Sequence, residues 1–293
     1  MRLEPVDAAI RGDAAYAATS HLTVVVDGVV ELDEHYRGPV VDNVHSVTKS
    51  VLSTLVGVAM RHGHVPSLDL ELPGAPGQTL RHALTMTRGV RIDGVWDTDV
   101  VQSLDGGWVV ALASAPAVRE PGVTFEYENG GAHLVAALLQ ERVGVPLVEY
   151  ARDELFGPLG ITTAEPAVDP SGLFVGWGDL RVSAADLLRL GQFWLDPGGL
   201  VDPAYAATMT SPLGPGGPPE GAAYGLWFWV DDGLFFAGGW GGQHVIVCPR
   251  TRAVVVTTAH AAWAPGPPLT HTLPPGWRPA KRLLDEYVLP YLR

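Results

Sequence analysis

The stretch NVHSVTKSVLSTLVGVAMRHG, residues 43–63, places Ser46 three residues before Lys49 in an apolar run. In a helix, Ser46, Lys49, Ser50, Ser53 and Gly57 share one face, while the other faces are Val, Leu, Ala and Met. The stripe holds small hydroxyls and a glycine but no Glu, Asp or Arg, which suits a packed or cleft-lining face. Only Lys49 and Lys281 are lysines among the 19 basic residues. An arginine does not give up its proton in a protein, whereas a desolvated lysine can do so near neutral pH. A neutral amine one turn from a serine hydroxyl is a general base beside a nucleophile. Ser46 at the start of the helix would also aim its backbone N–H at an oxyanion. The alternative is a solvated stripe on which Lys49 is an ordinary surface charge. A Ser-x-x-Lys spacing arises about once by chance in a chain of this length.

Two more stretches carry usable groups. Tyr127-Glu128-Asn129 stands just before a helical pattern. There the phenol could shuttle a proton, with a cationic neighbour favouring the phenolate, and the amide could hydrogen-bond. The alternative is a loop that Asn129 caps. AGGWGGQ, residues 237–243, is either a glycine-rich bend in a sheet or a place where substrate approaches a strand closely, at Gly239. In the second case a strand N–H, that of Trp240, would complete an oxyanion hole with that of Ser46.

The elements that must position these groups are legible from pattern. Residues 21–37 carry two β-rich runs around Asp27-Gly28, a hairpin signal. The apolar run 44–60 is too long for a strand and reads as a buried helix capped by Asn43 and stopped by Gly63. Residues 66–79 read as a Pro- and Gly-rich loop, and 79–89 as a helix capped by Thr79. Helices follow at 129–144, 146–161 and 182–195, the last capped by Ser183. After a loop at 211–221, YGLWFWV, LFFAGG, QHVIVCP and RAVVVTTAH form an antiparallel meander, with Asp231-Asp232-Gly233 and Pro249-Arg250-Thr251 as turns. A Pro-rich loop, 265–279, precedes a closing helix at 280–289 ended by Pro290. Strands at both ends with helices between predict an α+β fold. Its sheet lobe would comprise 1–75 plus 175–293, with a helical lobe, 76–174, inserted and the site in the cleft between.

The totals set bounds. With 293 residues, 47% of them hydrophobic, and a mean hydropathy of +0.16, the chain can bury a large core. A formal charge of −13 argues against nucleic-acid partners and docking on anionic membranes. Cys248 is the only cysteine, which excludes an intrachain disulfide and a Cys-rich metal site. The N-terminal residues show no signal-peptide pattern and no apolar stretch reaches the roughly 18 residues of a membrane span, so a soluble cytoplasmic protein is expected.

Ser-x-x-Lys, then Tyr-x-Asn, then a Gly-rich strand resembles the serine β-lactamase and penicillin-binding-protein superfamily in its class C-like branch, over about residues 20 to 290. TLRHALTMTRGVRIDGVWDTD, TFEYENGGAHLVAALLQE, LFGPLGI, VSAADLLRLGQFWL and AGGWGGQHVIVCPRTRAVVVTT look most like the 6-aminohexanoate-dimer hydrolase and esterase group. The resemblance implies a β-lactamase/transpeptidase-like fold, an antiparallel sheet flanked by helices. It further implies Ser46 as the acylated nucleophile, Lys49 as its base, Tyr127 as proton relay to the leaving group, and Asn129 in contact with substrate. One departure stands out. Where β-lactamases carry a Lys-Thr-Gly strand and many esterases a His-x-Gly one, this chain has Ala237-Gly238-Gly239. The missing cation would weaken recognition of a substrate carboxylate, which argues against a dedicated β-lactamase or cell-wall peptidase.

The function so implied is hydrolysis of an amide or ester of a small molecule or short peptide through an acyl-enzyme on Ser46, without cofactor or metal. An acyltransferase or peptide-cyclising thioesterase-like enzyme would use the same three residues, and a cleft lined by Trp96, Trp177, Trp227 and Trp240 would favour transfer; core packing is the alternative for these residues, most of all for Trp227. A non-catalytic binding module is the third reading. A Ser-His-Asp hydrolase is disfavoured because no G-x-S-x-G elbow occurs. His62-x-His64 reads as a polar surface pair rather than a metal site. Oligomeric state has no sequence signature.

Overall fold

Thr19–Val26 and Val29–His35 fold back on each other through Asp27 and Gly28, both at positive φ, the conformation a two-residue hairpin turn requires. In this computed structural model, which describes residues 1–260 and 276–293, that hairpin forms one side of an eight-stranded sheet. Across it run Val29–His35, Thr19–Val26, Ala253–Ala259, Gln243–Cys248, Leu234–Gly239, Trp229–Asp231, Ala222–Tyr224 and Gly214–Gly217, every pair antiparallel. The expected meander is present, and its last strand pairs with the N-terminal hairpin, Val24 opposite Val255. This is the β-lactamase/transpeptidase-like, α+β arrangement.

The Val47–Arg61 helix is buried from Val47 to Ala59 and touches both Leu234–Gly239 and Gln243–Cys248. On the sheet's flank, the Ala184–Leu195 helix crosses Gln243–Cys248 and Ala253–Ala259 so closely that a Cβ on Gly191 would stand 2.5 Å from Val254. Its cap is the expected one, with the Ser183 side chain accepting from Asp186 N. Gly130–Val143 packs on the Val47–Arg61 helix and ends at Gly144 in the left-handed region.

Five expectations need correction. The helix capped by Thr79 stops at Leu84, because Met86 turns into positive φ well before Gly89. The loop 66–79 contains a small hairpin, Glu71–Leu72 with Ala75–Thr79, and 211–221 contributes the edge strand Gly214–Gly217. YGLWFWV is not one strand: Trp227 has φ +59, and the chain leaves the sheet between Tyr224 and Trp229. The closing helix ends at Tyr287, and Pro290 lies in the first turn of a second short helix, Leu289–Leu292. Most of the Pro-rich loop 265–279 falls outside the described residues.

Candidate active site

Asn43, expected as a helix cap, instead accepts from His45 N (2.7 Å) and donates to Asp179 Oδ1 (2.6 Å). This tethers a sharp turn in which His45 takes φ +48, and Ser46 occupies the cap position of the next helix. The Ser46 side chain makes no capping bond. Its Oγ accepts instead from Lys49 Nζ at 2.9 Å.

The polar stripe of that helix is packed, not solvated. Ser50 Oγ donates to Trp227 O (2.6 Å) and Ser53 Oγ to Leu226 O (2.7 Å). A Cβ on Gly57 would strike the Tyr205 ring at 2.7 Å. The irregular segment between Tyr224 and Trp229 thus exists to bring carbonyls to these hydroxyls. Trp227 itself is core, its indole donating to Ala83 O, so the packing alternative holds for it.

Lys49 is 1% exposed. Its Nζ donates also to Trp177 O at 2.8 Å. Burial pulls its pKa down to about 7, against the opposing fields of Glu128 and Asp179. A lysine in this state has a large neutral fraction at physiological pH, which arginine could not supply.

Tyr127 hydrogen-bonds to Ser46, and its ring lies 5.2 Å from Lys49 Nζ and stacks on Trp229. Burial pushes the phenol up to about 12; the Ser46 hydrogen bond opposes this, and Glu220 and Glu128 add to it. The phenolate expected beside a cation is therefore not the resting form: desolvation outweighs a lysine that is itself half-discharged near neutral pH. Asn129 precedes the Gly130–Val143 helix without capping it; its Nδ2 donates to Thr98 Oγ1 at 3.3 Å, and its side chain lines the cleft. Between Tyr127 and Asn129, buried Glu128 accepts from Gly131 N (2.9 Å) and from Arg88 Nη1 (3.3 Å). Sequence reasoning missed this anchor; the signal was a charged residue embedded between two candidate site residues.

Gly239 ends the strand that faces Ser46. A Cβ there would stand 2.3 Å from Val44 O, so only glycine lets the strand approach the turn before the serine. Trp240 follows in the hairpin turn and meets His45 edge-on at 5.3 Å. Ser46, Tyr127, Asn129, Trp177, Gly239 and Trp240 line one cleft of about 890 Å³. Trp229 and Trp277 line it too, whereas Trp96 belongs to an adjoining cavity of about 230 Å³. His62 bonds to the Tyr150 hydroxyl (2.9 Å), and among the described residues no group of three or more His, Cys, Asp or Glu could hold a metal. Nor is any described helix long and apolar enough to cross a membrane.

The family model described as Beta-lactamase matches residues 13–266. A curated relative, "Putative penicillin-binding protein PbpX" of Bacillus subtilis (strain 168), is 23% identical over 227 residues, 66% of this chain. The chain spans only 54% of that relative's length. Among solved structures, "Putative 6-aminohexanoate-dimer hydrolase from Bacillus anthracis" superposes with a TM-score of 0.75 at 16% identity, covering 94% of this chain and 79% of that one. "EstCE1, a hydrolase with promiscuous acyltransferase activity" gives 0.69 at 17% identity, covering 88% and 92%. At these identities the likeness concerns the fold.

Proposed function

The chain belongs to the beta-lactamase family, and from that membership we propose that it is a serine hydrolase acting on an amide or ester of a small molecule or short peptide. The observation that carries the reading is the buried Lys49 amine, 2.9 Å from Ser46 Oγ with its pKa brought to about 7. Neutral Lys49 takes the Ser46 proton as Oγ bonds to the acyl carbon. The oxyanion rests on the backbone N–H groups of Ser46 and Trp240, a pairing supported by the close approach of Gly239 to Val44. As the C–N or C–O bond breaks, the Tyr127 phenol gives its proton to the leaving group and is refilled from the Lys49 ammonium. Asn129 contacts the bound substrate. Water then attacks the acyl-Ser46 ester, returning the acid and the free serine.

Intact-protein mass after mixing with p-nitrophenyl esters and short amides tests this, with Ser46→Ala alongside. An acyl adduct on the unmodified chain alone, decaying in water, is expected. Trp177, Trp229, Trp240 and Trp277 around the cleft favour a second reading, transfer to another acceptor. An adduct that persists until an amine or alcohol is added would select it. A chain that binds these donors and never acylates would be a binding module.

A further inference from the structure

Beyond Ser46 the cleft follows the free edge of the Leu234–Gly239 strand toward the Lys281–Tyr287 helix. The neighbouring strand Trp229–Asp231 pairs only with Leu234, Phe235 and Phe236, so Ala237–Gly239 has no strand on that side. Gly238 lies there tightly against two side chains: a Cβ on it would stand 3.2 Å from Glu220 Oε1 and 3.4 Å from Cδ1 and Nε1 of the Trp229 indole, a ring that stacks on Tyr127 and Phe236. The Glu220 carboxylate thus borders the strand edge inside the cleft.

Glu220 carries a charge. Burial pushes its carboxyl up, but the His244 hydrogen bond, then the fields of His244 and Lys281, outweigh that and leave it below the ordinary range. His244 Nε2 lies 3.3 Å from Glu220 Oε1, while His244 Nδ1 is buried with no partner. A proton on Nδ1 would be a buried donor without an acceptor, so the hydrogen bond to Glu220 runs from Nε2. That pairing leaves the negative charge of Glu220 in place. Glu220 Oε2 accepts no hydrogen bond from a described residue. Lys281, the nearest cation, is already engaged by Asp285, with both carboxylate oxygens at 3.0 Å. Ala237, one residue back along the strand, is fully buried and presents nothing to the cleft.

We propose that Glu220 forms a seat for an ammonium group, making the enzyme selective for ester or amide substrates that carry a cationic nitrogen near the scissile carbonyl. The inference rests on the acyl-enzyme reading above and names its substrate class. Gly238 lies near the end of its strand and Trp240 two residues on in the turn, so even fully extended the intervening chain keeps the nitrogen within roughly 7 Å of the oxyanion. The carboxylate supplies the charge attraction.

The test uses butyrylthiocholine and its neutral isostere, S-(3,3-dimethylbutyl) thiobutyrate, with kcat/KM read from thiol release. The ratio of cationic to neutral substrate is expected to be on the order of 10- to 100-fold in the unmodified chain. It should fall to within about threefold of unity in Glu220→Gln and rise in Lys281→Met, which removes a competing cation. A ratio near one in the active enzyme, or one that neither substitution moves, overturns the proposal. Calorimetric binding of the same two esters to Ser46→Ala separates it from the reading beneath it. If neither ester is cleaved, the acylation reading fails, yet tighter binding of the cationic ester that Glu220→Gln abolishes in that background still supports the seat. Equal binding of the two removes it.

Discussion

Lys49 Nζ lies 2.9 Å from Ser46 Oγ and 5.2 Å from the centre of the Tyr127 ring, so a single buried amine faces both hydroxyl-bearing side chains. Burial acts on the two titratable groups in opposite directions on the pH scale and to the same end. It brings the amine to about 7 and the phenol to about 12, favouring the uncharged form of each.

The first consequence is a pH profile. Acylation needs the free amine, so kcat/KM should rise with pH through about 7 and level above it. Lys49→Arg should lose nearly as much activity as Ser46→Ala, about a thousandfold or more, with circular dichroism unchanged. Substantial turnover by the arginine variant would remove Lys49 as the base.

The same shift governs stability. Between about 7 and 10.5 the unfolded chain holds a proton on Lys49 that the folded chain does not. Stability therefore falls as pH drops across that window and is unaffected by Lys49 below it. The span corresponds to about 5 kcal/mol. Denaturant titrations of the unmodified chain and Lys49→Met should diverge by an amount of that order between the two ends of the window. Parallel curves would mean that Lys49 is not desolvated.

Tyr127→Phe keeps the stack on Trp229 and removes only the phenolic proton. If the phenol relays that proton, turnover should slow by about a hundredfold, with the larger loss on substrates whose leaving group is a poor one. Equal rates on every leaving group would leave the tyrosine a packing residue.

Glu128→Gln strands the Arg88 guanidinium in the interior. Breaking one half of such a buried pair costs about 3–5 kcal/mol, and the midpoint of urea unfolding should move accordingly. Because Glu128 anchors the segment between Tyr127 and Asn129, turnover should fall as well.

Gly239→Ala places a methyl carbon against Val44 O, a backbone atom with little room to move. The strand end must retreat from the serine turn, so kcat/KM should drop about a hundredfold or more if Trp240 N completes the oxyanion hole. An unaltered rate would locate that donor elsewhere.

The chain's local signals were readable where one segment sufficed. Ser46 and Lys49 share a helix turn, and their contact follows from spacing alone. The hairpin at Asp27-Gly28 and the Ser183 cap are equally local. What escaped depends on segments far apart in sequence. The carbonyl that receives Lys49 belongs to Trp177, the partner of Glu128 is Arg88, and the strand run 224–230 is broken to serve Ser50 and Ser53. Lys281 lies in the closing helix, far in sequence from Ser46, and only the fold brings it to the cleft. Desolvation was also invisible. The direction of the Tyr127 shift was misjudged because charge can be counted in a sequence and burial cannot.

The pairing of Thr19–Val26 with Ala253–Ala259 has a temporal side. During synthesis the N-terminal hairpin emerges long before its inner partner exists, and Ser46 follows close behind it. The helix bearing Ser46 needs the carbonyls of Leu226 and Trp227 to satisfy its buried hydroxyls. Its seat on the sheet is therefore incomplete until residues 226–259 have been made, and such distant pairings form slowly. On the acyl-enzyme reading, a nascent chain that stops short of Leu226 would carry its serine without the setting proposed to activate it, so acylating power would arrive late and all at once.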